Sequence, residues 1–122
     1  MGSKVSEKLE IKHTSSVIYA KLPDGSKAYI AYEVREKVIR ILETYTPPQY
    51  RGRGIASKLM EYAVKLAVSN EWLIEPVCSY AIYYFIKHPE LRERLVHELR
   101  RTDLVELHKQ RLREEAMKRH AA

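Results

Sequence analysis

Short alternating apolar segments fill the first half of the chain, and apolar residues spaced by three and four fill most of the second. Leu9 and Ile11 alternate with charged residues, Val17-Ile18-Tyr19-Ala20 forms a second run, and Pro23-Asp24-Gly25 supplies a turn before Ala28-Tyr29-Ile30-Ala31-Tyr32. The pattern predicts a strand meander. Val34 to Lys37 reads as a polar connection, after which Val38, Ile39, Ile41 and Leu42 open a strand running to Tyr45-Thr46. Pro47-Pro48 must end it, and two missing backbone donors predict a local gap in the sheet. Ile55, Leu59, Tyr62, Ala63, Leu66 and Ala67 then form one face of a helix over residues 54–69, closed at Ser69-Asn70. Trp72 to Cys78 reads as a short buried strand, and Ala81 to Lys87 as a helix that stops before His88-Pro89. A strand-helix-strand-helix unit requires a right-handed crossover between parallel strands. The sheet is therefore expected to be mixed, antiparallel first and parallel later.

From Leu91 onward the sequence is charged, with Leu91, Leu95 and Leu99 on one helical stripe and a break at Thr102-Asp103, a good N-cap pair. Two helices are predicted. The last, Leu104 to Arg119, carries Val105, His108, Leu112 and Ala116 along one side and the ion pairs Glu114 with Lys118 and Glu115 with Arg119 elsewhere. Such a narrow stripe suits packing on the domain, pairing with a second copy as a homodimer, or a solvated tail. The expected organisation is a flexible tail at 1–8, a domain at 9–96 and a charged helical extension at 97–122.

At 122 residues and 45% hydrophobic, the chain suits one domain with one principal site. A formal charge of +6 favours an anionic partner, which cofactor phosphates, nucleic acid and an acidic membrane all satisfy. Glu93, Glu98, Asp103, Glu106, Glu114 and Glu115 interleave with the basic residues of the tail, which disfavours nucleic acid. No apolar run approaches the roughly 18 to 20 residues that cross a bilayer, and Met1-Gly2-Ser3-Lys4 lacks a secretory core, so a cytoplasmic protein with no membrane partner is expected. The single cysteine, Cys78, has no internal disulfide partner, and the histidines lack the short spacing of a metal site.

The most informative segment is Arg51-Gly52-Arg53-Gly54-Ile55-Ala56-Ser57, between a strand and the start of an amphipathic helix. Free N–H groups and the positive helix end converge there, glycines allow close approach, the arginines raise the potential, and Ser57 adds a hydroxyl. A bound phosphate suits this arrangement, as does a simple strand-to-helix turn. No Gly-Lys-Ser/Thr follows, so it is not a nucleotide-hydrolysing loop, and the longer dinucleotide fingerprint is absent.

Pro48-Gln49-Tyr50-Arg51-Gly52-Arg53-Gly54-Ile55-Ala56 resembles the coenzyme A loop of the GNAT acetyltransferases, whose pattern is Gln/Arg-x-x-Gly-x-Gly/Ala. The pattern fits from Gln49, using Gly52 and Gly54, or from Arg51, using Gly54 and Ala56; the second is preferred, and both imply the same pyrophosphate cradle. Pro76-Val77-Cys78, followed by Tyr84, Lys87 and His88-Pro89-Glu90, is similar to the Pro-x-Cys strand and His-Pro-Glu motif of small single-domain GNAT-like proteins. The likeness covers most of residues 9–96 and implies an α/β (α+β) fold: a mixed sheet with an antiparallel meander, then a β-α-β-α unit, here extended by C-terminal helices.

The resemblance also implies acetyl-CoA as cofactor and an amine acceptor, a small molecule or a protein amine. By resemblance the fourth and fifth strands splay, Tyr45 and Thr46 flank the acyl arm, and a backbone N–H near Thr46 serves the oxyanion. Cys78 falls where the thioester emerges, as nucleophile, other site contact or packing residue. Larger relatives carry a tyrosine seven positions on, where this chain has Phe85; Tyr84 is the expected substitute acid, with helix packing as its alternative. Lys87 is a candidate for the outer coenzyme phosphate, and His88 for capping or packing. Loss of that tyrosine equally suits a coenzyme A-binding module without efficient transfer. This chain is too short for the usual first helices, which implies an open acceptor groove.

Overall fold

The computed structural model describes residues 9–121, with side chains described for 9–119. Five strands, β1 (Ile11–His13), β2 (Val17–Lys21), β3 (Lys27–Arg35), β4 (Val38–Tyr45) and β5 (Leu73–Pro76), form one sheet in chain order. The first four pair antiparallel and β4 pairs parallel to β5, the expected mixed sheet. Helices α1 (Ile55–Ser69), α2 (Ser79–Lys87) and α3 (Leu104–Ala121) complete the fold. The expected tail at 1–8 lies outside the described residues.

Alternation drives the sheet into a core: Ile18, Ala20, Ala28, Ile30, Tyr32, Ile39, Ile41 and Ile74 all point to one buried face, against Ile55, Leu59, Ala63 and Ala67 of α1. Val34 and Arg35 belong to β3, so the polar connection shrinks to Glu36-Lys37, both with positive φ (51° and 64°). That is the backbone a two-residue hairpin of matching twist needs.

Between Ala31 and Tyr32 the register shifts: Ala31 pairs with Glu43 and Tyr32 with Ile41, leaving Leu42 as an extra residue in β4. This β-bulge reverses the inward and outward alternation beyond it. Thr44, paired with Ile30, therefore continues the inner face, while Tyr45 and Glu43 meet Tyr29 on the outer one, with the Tyr29 and Tyr45 rings 5.5 Å apart.

The segment after α2 corrects the prediction of a helix carrying Leu91, Leu95 and Leu99. Pro89–Arg94 and His97–Leu99 are separate 3₁₀ turns, and between them Leu95 is fully buried and forms an isolated parallel bridge with Ile74. The Val96 N–H donates to the Ile74 carbonyl at 3.0 Å. Edge pairing with β5 satisfies backbone groups that a helix would have turned inward. The predicted cap holds: the Asp103 carboxylate accepts the Glu106 N–H at 3.1 Å and opens α3.

Helix α3 packs on the domain, one of the three arrangements its stripe suited, but through a shifted face. Val105 and Leu112 of the predicted stripe are exposed (51% and 45%), and the helix rests on the domain through Leu104, Leu107, His108, Arg111 and Glu115. His108 lies against Tyr83 of α2, with ring centroids 5.9 Å apart. Neither predicted ion pair forms: Glu114 pairs with Arg111 at 3.4 Å, and Glu115 turns to Ser79.

Candidate functional site

One edge of β4 is left half unpaired. Its last contacts with β5 are the Val77 and Cys78 N–H groups, which both donate to the Ile41 carbonyl (2.9 and 3.2 Å), and Cys78 then turns the chain into α2. From Leu42 to Tyr45 the edge that faced β5 is open. Tyr32 donates its N–H to Ser16, so odd residues of β3 face β4, and beyond the bulge their partners are Glu43 and Tyr45. Backbone groups of Thr44 and Thr46 are thereby directed to the gap.

The gap opens onto the glycine loop. After the 3₁₀ turn Pro48–Tyr50, Gly52 and Gly54 take left-handed φ values of 79° and 80°, which L side chains rarely adopt. A Cβ at either would meet nothing within 4 Å, so backbone conformation and not crowding demands glycine there. Gly54 is the N-cap of α1, without a side-chain cap and with no acid in the first turn. The N-terminal N–H groups are thus left available to an anion. Arg51 donates from Nε to the Thr46 carbonyl at 2.9 Å, tying the loop to the end of β4. Gln49 donates to Asp24 at 3.0 Å, anchoring it to the β2–β3 turn; that bond and two from Ser26, which dominate, lower the Asp24 carboxyl to about 2.

A pocket of about 430 Å³ lies here, lined by Thr44, Tyr45, Thr46, Tyr50, Arg51, Gly52, Gly54, Ile55, Ala56, Ser57 and Tyr80. Eight of the expected coenzyme residues therefore come together. Arg53 sits over the Tyr50 ring at 5.3 Å instead of in the lining. Lys87 sits over Tyr83 at 5.7 Å, at the far end of α2.

Cys78, 8% exposed, lines a second cavity of about 600 Å³ with Leu42, Glu43, Thr44, Val77, Ser79, Tyr80 and five residues of α3. Its Sγ lies 3.3 Å from Thr44 Oγ1. Thr44 and Tyr80 line both cavities, so the two meet at this strand gap. Tyr84, one turn along α2 from Tyr80, lines neither; it is buried against Phe85 and stacks on His88 with centroids 4.3 Å apart. Burial raises both phenols, Tyr80 and Tyr84, above the ordinary range, Tyr80 with further push from Tyr84, Tyr83 and Cys78. His88 bonds the exposed Glu90 at 3.1 Å and makes no side-chain cap.

Sequence reading passed over Thr44, Tyr80 and the α3 residues. Tyr80 was legible as the first-turn neighbour of Cys78 on the Tyr84 face; the α3 contribution had no local signal. Among the described residues no group of three or more His, Cys, Asp or Glu could hold a metal, and no helix is long and apolar enough to cross a membrane.

A mixed sheet splayed beside an uncapped, glycine-opened helix is a framework for acyl transfer. Residues 18–95 match the GCN5-related N-acetyl-transferase family, and the chain belongs to it, making it an N-acetyltransferase by class. Protein NATD1 of Danio rerio is 36% identical over 75 residues, spanning 58% of this chain and 67% of that protein. A GCN5-like protein of Staphylococcus aureus, solved by NMR, is 26% identical with a TM-score of 0.55, covering 72% of this chain and 88% of that one.

Proposed function

We propose that the chain uses acetyl-CoA to acetylate a primary amine, with coenzyme in the 430 Å³ pocket and acceptor in the 600 Å³ cavity. The observation that carries this reading is the open edge of β4, which joins the two cavities at Thr44 and Tyr80. The residues present fit the coenzyme: an uncapped helix N-terminus and two left-handed glycines suit its pyrophosphate, and the open strand edge at Thr44 suits an extended amide-bearing arm. When bound, acetyl-CoA would supply the activated acetyl group.

The chain's own residues then have three tasks. Gly54, Ile55, Ala56 and Ser57 hold the phosphates, with Arg51 braced by Thr46 beside them. Backbone N–H groups at the gap donate to the carbonyl oxygen that gains charge during transfer. The Tyr80 hydroxyl, kept protonated by burial, returns a proton to the departing sulfur. It takes over the role expected of Tyr84. Cys78, bonded to Thr44, contacts the acceptor side. In this reading Pro76-Val77-Cys78 positions that thiol, His88-Pro89-Glu90 closes α2, and residues 9–96 form the catalytic domain, extended by 97–122. The exposed Val105 and Leu112 form the strip through which two copies would pair, which light scattering tests.

Isothermal titration with acetyl-CoA, beside the variant Gly54→Trp, tests the coenzyme site. Wild type binds at micromolar Kd, and the variant binds at least about 100-fold more weakly as the cradle fills and the left-handed backbone is strained. Absence of wild-type binding overturns the proposal. Retained binding without turnover of any amine would leave a coenzyme-binding module.

A further inference from the structure

The family match ends at residue 95, yet five residues that line the Cys78 cavity, Arg111, Glu114, Glu115, Lys118 and Arg119, come from α3. The helix is anchored beside the thiol by one carboxylate. Glu115 Oε1 accepts the Ser79 hydroxyl at 2.6 Å and Oε2 accepts the Ser79 N–H at 3.0 Å, so it caps α2 immediately after Cys78.

This capping redistributes charge. On a free helix Glu115 would pair with Arg119 and Glu114 with Lys118, four residues apart in each case. Here Glu115 is spent on Ser79, Glu114 faces Arg111 Nε as an ion pair at 3.4 Å without a hydrogen bond, and neither Lys118 nor Arg119 has a carboxylate partner among the described residues. The cavity is thereby polarised along α3. Two carboxylates, Glu43 and Glu115, lie toward Thr44 and Cys78; two unpaired cations lie about one turn further along the helix.

We infer that α3 forms the selective wall of the acceptor site, and that the acceptor is a small amine bearing an anionic group at its other end. The ammonium is drawn to Glu43 beside the strand gap, and the carboxylate or phosphate to Lys118 and Arg119. Glu115 acts as a positioning residue through Ser79. The inference rests on the acetyl-transfer reading for its assignment of the cavity to the acceptor.

Full-length wild type and the Lys118→Glu/Arg119→Glu double variant would be assayed with acetyl-CoA and two probes of equal length, 4-aminobutyrate and 1,4-diaminobutane. Wild type should favour 4-aminobutyrate in kcat/KM by about tenfold and the variant should reverse the preference, the acetyl-CoA Kd staying within about twofold. Equal use of the probes, preference for the diamine, or an unchanged ratio in the variant overturns the inference. So does loss of acetyl-CoA affinity in the variant, which would assign the cations to the coenzyme.

A second measurement needs neither turnover nor coenzyme. Cys78 is the sole cysteine, so the alkylation rate by iodoacetate relative to iodoacetamide reports the potential in the cavity. The ratio should fall at least about threefold in the double variant; an unchanged ratio overturns the anionic subsite even if acetyl-CoA binds. Failure of wild type to bind acetyl-CoA while this ratio falls removes the transferase reading and leaves the anion site.

Discussion

The two cavities that meet at Thr44 and Tyr80 are built in opposite ways. The glycine-loop pocket draws ten of its eleven lining residues from one stretch, Thr44 to Ser57, whose geometry is set by two left-handed glycines and a helix start. The Cys78 cavity draws on β4, the β5–α2 turn and α3, held together by bonds between residues 36 positions apart. A pocket made of contiguous backbone is robust to change elsewhere, whereas one made by docking a helix depends on every contact that holds the helix in place.

Five further substitutions separate the two constructions. Leu95→Ala should have the largest effect, about 2–5 kcal/mol in chemical denaturation, because a fully buried side chain is lost where the chain bridges Ile74 on its way to α3. If the loss is under about 1 kcal/mol, the tail is not integral to the core. Tyr80→Phe should lower kcat by about 100-fold with little change in the acetyl-CoA Kd, while Tyr84→Phe should leave kcat nearly intact; the reverse ranking would restore Tyr84 as the acid.

Glu115→Ala should cost about 1–3 kcal/mol, since a part-buried charge-assisted pair of bonds to Ser79 is removed. Faster amide exchange at Ser79, with exchange in α1 unchanged, would show that the effect is confined to the helix-built cavity. The smallest effect is expected on the loop side, at Asp24. Its folded carboxyl is lowered from 3.8 to about 2, so its contribution is complete above 3.8 and disappears as pH falls toward 2. Thermal melts of wild type and Asp24→Asn should therefore differ above pH 3.8 and converge near pH 2. A difference that persists at pH 2 would show that the turn is not held by the ionised carboxylate.

Pattern alone located nearly every element through α2. Alternation in β2 and β3, the three-and-four spacing of Ile55, Leu59 and Ala63, and the Asp103 cap are local signals, and local backbone preference decides them. The glycine loop was legible for the same reason: a turn that opens a helix on two left-handed glycines consists of consecutive residues. What tertiary structure decided lies between distant segments. The Leu42 bulge, which sends Thr44 inward, arises from the register between two strands, and Leu95 abandons a helical stripe because the edge of β5 offers hydrogen bonds. Glu115 leaves its neighbour on α3 for the N-terminus of α2, where two donors await it. A sequence lists each group's local partners; only the fold decides which distant donor competes successfully for it.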